Sequence, residues 1–344
     1  MVRALEWIDA TGTLQLIDQT RLPDRELYLA VRSVDDLVTA ITSLAVRGAP
    51  ALGAVGALGV ALAIAQGEAE AWSPERLAAE VDRIRQARPT AVNLAWGVNQ
   101  TWPLAGQGVP AVLARAKQIV AEDEAANRAL SRLGADWILR QTGRERVRVI
   151  THCNTGALAT TAWGTAYGII HELHDRGALE LVYADETRPL LQGARLTSWE
   201  LVRDGIPHVV QVDGASASTL LRGKADVAII GADRIAANGD TANKVGSLAL
   251  ALACQRAGVP FVVAAPSTTI DLLTASGDGI EIEERDGGEV LSFGGVRTTP
   301  EEAQGYNPAF DVTPCDLISA IVTEYGVVEP QTTPDPGLLA RIAG

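Results

Sequence analysis

From Val147 onward, short apolar runs alternate with helix-patterned segments, and this rhythm limits the fold more than any other feature of the chain. Residues 147–151, 179–184, 208–212, 226–230 and 261–265 read as strands. Residues 158–176, 190–204, 216–221 and 242–257 read as the helices between them. Repeated βαβ units predict a doubly wound parallel sheet with right-handed crossovers. Ligands of such sheets bind beyond the carboxyl ends of the strands. The residues that follow each apolar run are therefore the first candidates for chemistry.

The part before Val147 has a different pattern. Short β signals lie at residues 5–8, 14–18 and 26–31, and helical patterns at 34–44, 50–65, 74–86 and 109–140. The Gly- and Ala-rich stretch 51–65 falls short of the ~20 residues that span a bilayer and reads as a helix buried on all sides. The last helix reads as a connector. The break at Gly143-Arg-Glu-Arg divides the chain into a small-β plus helical domain, residues 1–143, and a Rossmann-like catalytic domain, residues 144–344. The fold class is α/β. Residues 277–306, rich in Gly and Glu, read as a β-hairpin with long loops.

Composition narrows the function. A net charge of −13 argues against nucleic acid and against an anionic membrane surface. A phosphorylated small molecule stays compatible, because helix ends and a few cations overcome a negative global field. Three cysteines, Cys153, Cys254 and Cys315, without C-x-x-C spacing, fit a reducing compartment and suggest no zinc. Met1-Val-Arg-Ala-Leu-Glu-Trp lacks the apolar core of a signal peptide, so the expected location is the cytoplasm. There is no P-loop, no Ser-His-Asp signature and no G-x-G-x-x-G, which weakens a nicotinamide dehydrogenase.

The segment from Ile229 to Gly246 is the richest in candidate groups. Asp233 follows the run ending at Ile230, Asn238-Gly239-Asp240 is a turn, and Asn243-Lys244 is expected to open the next helix. Lys117, Lys224 and Lys244 are the only lysines, so Lys244 is not surface filler. Cys153 stands after another strand, before an expected helix whose N–H groups would favour thiolate. Cys254 sits in the apolar face of a helix and reads as core. Arg47-Gly48-Ala49-Pro50 precedes the buried helix. Pro50 suits a first helical turn, Gly48 permits close approach of backbone to a ligand, and Arg47 with free N–H groups would form an anion seat. After a third strand come Asp185 and Glu186, expected to pair with Arg188 and Arg195, then Pro189 as a helix start, and Gln192. Arg88 lies at a helix end.

Taken together, Val46-Arg-Gly-Ala-Pro-Ala-Leu-Gly53, Ala87-Arg-Pro-Thr-Ala-Val-Asn-Leu94, Thr151-His-Cys-Asn-Thr-Gly-Ala-Leu-Ala159, 185–197, 231–246, Asn307-Pro-Ala-Phe-Asp-Val-Thr-Pro314 and Thr323-Glu-Tyr-Gly326 resemble the methylthioribose-1-phosphate isomerases of methionine salvage. Their wider family also holds regulatory subunits of a translation-initiation exchange factor and ribose-1,5-bisphosphate isomerase. The resemblance spans nearly the whole chain. It implies Cys153 and Asp233 as the catalytic pair, and Arg47, Gly48, Ala49, Arg88, Gln192, Asn243 and Lys244 as substrate-binding residues. It implies no cofactor, no metal, a sugar-phosphate substrate and a homodimer. Ser247-Leu stands where Thr-Tyr is expected, past the ligand residues. The alternatives are a sister isomerase acting on 5-deoxyribose 1-phosphate or ribose 1,5-bisphosphate, and a non-catalytic subunit sensing a sugar phosphate or nucleotide.

Overall fold

The computed structural model describes residues 2–89, 91–330 and 339–343. The chain forms two compact units: Met1–Ala126 with Thr155–Gly164, and Asn127–Asn154 with Thr165–Gly344. This division differs from the expected one at 143/144. The long helix α5 (Val109–Thr142) is continuous through the break between units. Val112, Ala116 and Ile119 serve the first core, whereas Leu130, Ala135 and Ile138 serve the second.

In the first unit, β1 (Leu5–Ile8), β2 (Thr13–Ile17) and β3 (Tyr28–Val31) form an antiparallel sheet in that order. Helix α1 (Val34–Thr42) starts at a capping box between Ser33 and Asp36, which satisfies two otherwise orphaned N–H groups. Helix α2 (Ala49–Ala69) has 21 residues, longer than expected and long enough to cross a membrane by length and composition. Residues 51–64 are nevertheless buried without interruption, so it is the central core helix of this unit. α3 (Pro74–Arg85) and α4 (Val92–Thr101) pack around it.

The sequence pattern did not reveal α4. It has no capping side chain, and its buried face mixes Leu94 and Val98 with Asn93, Gly97 and Thr101, so the apolar period is short and broken. A Cβ on Gly97 would lie 1.9 Å from the Gly53 carbonyl oxygen, and one on Gly56 would lie 2.4 Å from that of Leu94. Backbone cannot yield as a flexible side chain can. Gly97→Ala should therefore cost about 1–3 kcal/mol through forced helix separation, read as a drop of Tm in thermal unfolding. An unchanged Tm would show that α2 and α4 separate freely.

Residues 155–164 belong to this unit as a series of turns. They were expected to open a helix at 158. Left-handed backbone at Trp163 and Gly164 breaks it, and a Cβ on Gly164 would meet Thr155 and Gly156 backbone at 2.6 Å. The turns are tied down by Gln19 Nε2 donating to the Leu158 carbonyl at 2.6 Å and by Thr161 donating from N and Oγ1 to Asp123.

The second unit carries β4 (Val147–Thr151), α6 (Ala166–Asp175), β5 (Leu179–Asp185), α7 (Ser198–Arg203), β6 (His208–Gln211), α8 (Ser216–Leu221), β7 (Val227–Ile230), β8 (Arg234–Ala236), β9 (Thr241–Lys244), α9 (Ser247–Ala257), β10 (Phe261–Ala264) and β11 (Ile270–Asp271). There follow α10 (Gly288–Leu291), β12 (Ser292–Phe293), β13 (Val296–Arg297), β14 (Phe310–Thr313), β15 (Ala320–Thr323) and β16 (Gly326–Val328). Among the described residues, seven strands make the main sheet in the order β16-β15-β10-β7-β4-β5-β6. It is parallel except for β16. The expected doubly wound alternation is present, and β7, β10 and β15 are buried along their whole length, which is why they read as unbroken apolar runs.

A second sheet, ordered β11-β8-β9-β14, was not foreseen. The Asn238-Gly239 turn connects β8 to β9 as a hairpin, with Gly239 at φ +93°. Asn243 and Lys244 therefore lie on a strand, not at a helix start. Helix α9 begins only after Gly246, at φ +107°. Residues 277–306 contain the two-residue strands β12 and β13 around Gly294-Gly295, together with the single turn α10.

Candidate active site

Cys153 follows β4 with φ +64°, a conformation that costs a non-glycine residue of order 1–3 kcal/mol. Two threonines hold it there. The Cys153 N–H donates to Thr187 Oγ1 at 2.8 Å, and its carbonyl accepts from Thr197 Oγ1 at 2.6 Å. Next to it, Asn154 Nδ2 donates to Glu200 at 2.5 Å. No helix starts at this point, because α6 begins at Ala166, so the expected helix-end activation of the thiol does not apply. Lys244 is one group coupled to it, since the charge of Cys153 raises the Lys244 pKa.

Lys244 sits on β9, 5% exposed, opposite Phe310 of β14. Burial pulls its pKa below the ordinary lysine range; the charges of Cys153 and Asp233 push back upward, Arg285 pulls downward and Glu289 pushes upward. One ammonium thus lies within electrostatic reach of both the sulfur and the carboxylate singled out from sequence. Asp233, just past β7, is fixed by its own N–H donating to the Ala242 carbonyl at 2.9 Å. Asn243 is buried, and its Nδ2 donates to Ser247 Oγ at 2.9 Å. The departure at Ser247 therefore touches a candidate ligand residue directly rather than lying past the site.

Gln192 is 7% exposed, and among the described residues its Oε1 accepts no hydrogen bond. A buried acceptor left open costs about 1–3 kcal/mol, and a sugar hydroxyl would satisfy it. Pro189 does not open the helix. It follows a cis peptide bond in the turn 187–191, and the helical backbone begins as a π-turn at Gly193–Thr197.

The other candidates belong to the first unit. Gly48 caps α2 at φ +98°, Pro50 stands in the first turn, and Ala49 is the first helical residue. The close approach that Gly48 permits is to the chain itself: a Cβ there would lie 2.2 Å from the Ala159 carbonyl oxygen. Arg47 precedes this helix start half-buried, and Arg88 stands half-buried in the turn after α3.

Several functional groups escaped the sequence reading. Arg285 Nη2 and Nε donate to Glu289, whose carboxylate also accepts from Asn307 Nδ2 at 2.9 Å. Desolvation raises the Glu289 carboxyl, but Arg285 and Asn307 outweigh it and hold the pKa below the usual range. Arg188 donates to the carbonyls of Glu289, Val290 and Ser292 instead of pairing with Asp185. Asp311, whose pKa burial raises, accepts from the N–H groups of Gly246 and Leu248 at the start of α9. Asn307 and Asp311 were visible as part of a motif, but no periodicity marks Arg285 or Glu289.

His152, Asp185 and Asp213 cluster closely enough to hold a cation. Their facing atoms are already committed. Asp185 accepts from His152, Gln211 and Ser216, and Asp213 accepts from the N–H groups of Thr187 and Arg188. The cluster is a hydrogen-bond hub that shapes the Cys153 turn. Cys254, whose thiol burial pushes up to about 12, is core as expected.

The comparisons place this α/β fold, with its largely parallel main sheet, in a family. The pattern of the initiation factor 2 subunit family matches residues 45–330, and the chain belongs to that family. Within it, the chain groups with the methylthioribose-1-phosphate isomerases. The enzyme of that name from Alkalilimnicola ehrlichii is 49% identical over 95% of this chain and 94% of its own length. That from Nitrosococcus oceani is 47% identical over 96% and 95%. A probable bifunctional methylthioribose-1-phosphate isomerase/methylthioribulose-1-phosphate dehydratase of Nocardia farcinica is 49% identical over 99% of this chain, which spans only 61% of that protein. Among solved structures, 5-methylthioribose 1-phosphate isomerase from Pyrococcus horikoshii superposes with TM-score 0.86 at 37% identity, over 96% of this chain and 93% of that one. The translation initiation factor eIF-2B, subunit delta, from A. fulgidus gives 0.87 at 37% identity, over 99% and 100%. Shape alone does not separate the two names; the higher identity to full-length isomerases does.

Proposed function

We propose that this chain is an aldose–ketose isomerase that converts 5-methylthioribose 1-phosphate to 5-methylthioribulose 1-phosphate in methionine salvage, in the cytoplasm and as a homodimer. The observation that carries the reading is that Cys153 and Asp233 stand just past the ends of β4 and β7, which pair as parallel neighbours, in a chain whose near-full-length relatives are named for this reaction.

The chemistry explains the need for such a group of residues. Phosphate on the anomeric oxygen prevents the sugar from opening unaided. Asp233 serves as the acid only where substrate binding desolvates it enough to hold a proton beside the Lys244 ammonium; it then gives that proton to the ring oxygen as the bond to C1 breaks. Hydrogen then moves from C2 to C1. In one route Cys153 as thiolate takes the C2 proton, an enol forms, and a proton is returned at C1 as the C2 hydroxyl becomes the ketone. In the other, hydride passes directly from C2 to C1. Solvent hydrogen at C1 of product from C2-deuterated substrate would mark the first route. Lys244, Asn243 and Gln192, with Arg47, Gly48, Ala49 and Arg88, are assigned to substrate binding. Arg285 is spent on Glu283 and Glu289, which disfavours a bisphosphate substrate. A turnover assay across C1-phosphorylated pentoses tests the reading. Absence of ketose product from every one would end it, and preference for the 5-deoxy sugar would reassign the substrate.

The lowered pKa of Lys244 makes a further prediction. The ammonium binds phosphate, so affinity falls as pH rises through its folded-state pKa, which lies below the ordinary lysine value. The profile of kcat/KM should show an alkaline limb that Lys244→Arg moves to higher pH. A limb unmoved in that variant would remove Lys244 from the phosphate contacts.

A further inference from the structure

His152 is 1% exposed beside Cys153, and no step of the proposed chemistry uses it. Its ring lies between two acceptors on different elements. Nδ1 is 3.1 Å from Asp185 Oδ2 at the end of β5, and Nε2 is 2.8 Å from the Val245 carbonyl, one residue after Lys244. A neutral imidazole carries one N–H; two acceptors require two. Asp185 Oδ1 accepts from Gln211 and Ser216, which suits an ionised carboxylate. On the other side the ring packs against Gly246, where a Cβ would lie 2.7 Å from its Cε1. Burial opposes the charged ring, but Asp185, Asp213 and the Val245 carbonyl outweigh it and raise its pKa. Asp311 on β14 also feels the His152 charge.

The geometry points to His152 as a buried imidazolium that acts as a positioning residue, tying the strand end that carries Cys153 to the turn that carries Lys244. Both hydrogen bonds exist together only while both ring nitrogens are protonated. The sulfur–ammonium spacing is thereby set from behind the site, by a residue that touches no substrate. The role rests on the isomerase reading above, but the protonation state can be measured without it.

The test uses the full-length chain labelled with 15N-histidine. It has four histidines. At a pH above the usual histidine pKa, where ordinary rings have lost their second proton, one ring should still carry two protons. That signal should vanish in His152→Gln and convert to a singly protonated ring in Asp185→Asn. In the latter the new amide donates to Nδ1 while Nε2–H stays on Val245. In turnover, His152→Gln should lower kcat by about tenfold or more through misplacement of Lys244, whereas Asp185→Asn should stay within about threefold because both ties survive. Four singly protonated rings in the parent chain would overturn the proposal whatever the activity. So would equal damage from the two variants, since charge and not the tie would then matter. Should His152→Gln not fold, the Asp185→Asn spectrum still makes the assignment.

Discussion

Cys153→Ala is expected to lower kcat by about 10²–10⁴-fold, the range for loss of a positioned proton-transfer group, while phosphorylated ligand still binds with similar affinity. The backbone at this position is held by Thr187 and Thr197 through its own N–H and carbonyl, so truncating the side chain leaves the turn intact. The Gln192 side chain is likewise unchanged, whereas Lys244 loses the support of the Cys153 charge, so binding is compared at a pH well below the ordinary lysine range. Steady-state kinetics together with calorimetric titration of product separates the two effects. A variant that turns over within tenfold of the parent would remove Cys153 from the chemistry.

Asp233→Asn should produce a loss of the same order, because the amide fills the same space but has no proton to give to the ring oxygen. The Asp233 N–H to Ala242 carbonyl bond belongs to the backbone and persists, so the substitution tests acidity more than structure. Groups that act on one reaction coordinate are far from additive. The double variant Cys153→Ala with Asp233→Asn should therefore be little worse than the poorer single variant. Losses that multiply would mean that ring opening by Asp233 is a pre-equilibrium ahead of hydrogen transfer by Cys153.

Much of the second unit was legible from sequence. β7 and β10 are buried along their whole length, so each appears as an uninterrupted apolar run, and the βαβ order followed from the alternation of such runs with helices. Cys153 and Asp233 were found because they stand just past such runs. The misreadings have separate causes. Residues 155–164 turn because the backbone is left-handed at Trp163 and Gly164, and residues 241–244 are a strand because they pair with β8 and β14, partners that local pattern does not show. Helix α4 was invisible because its apolar period is short and broken. The Glu289–Arg285–Asn307 group and the His152–Asp185 hub join residues far apart in the chain, and local patterning carries no trace of them.

What the amino-acid order determined by itself was the layering: a parallel sheet, the ends of its strands, and the sulfur and carboxylate waiting there. Periodicity is a local property, and burial of apolar surface enforces it directly. What only the tertiary structure decided was the company those groups keep: Lys244 on a strand of a second sheet, reaching both, with His152 behind the turn that carries it. Such spacing depends on how loops close and on a few backbone angles near +60° to +110° at Cys153 and Gly246, and these are settled by contacts between distant residues.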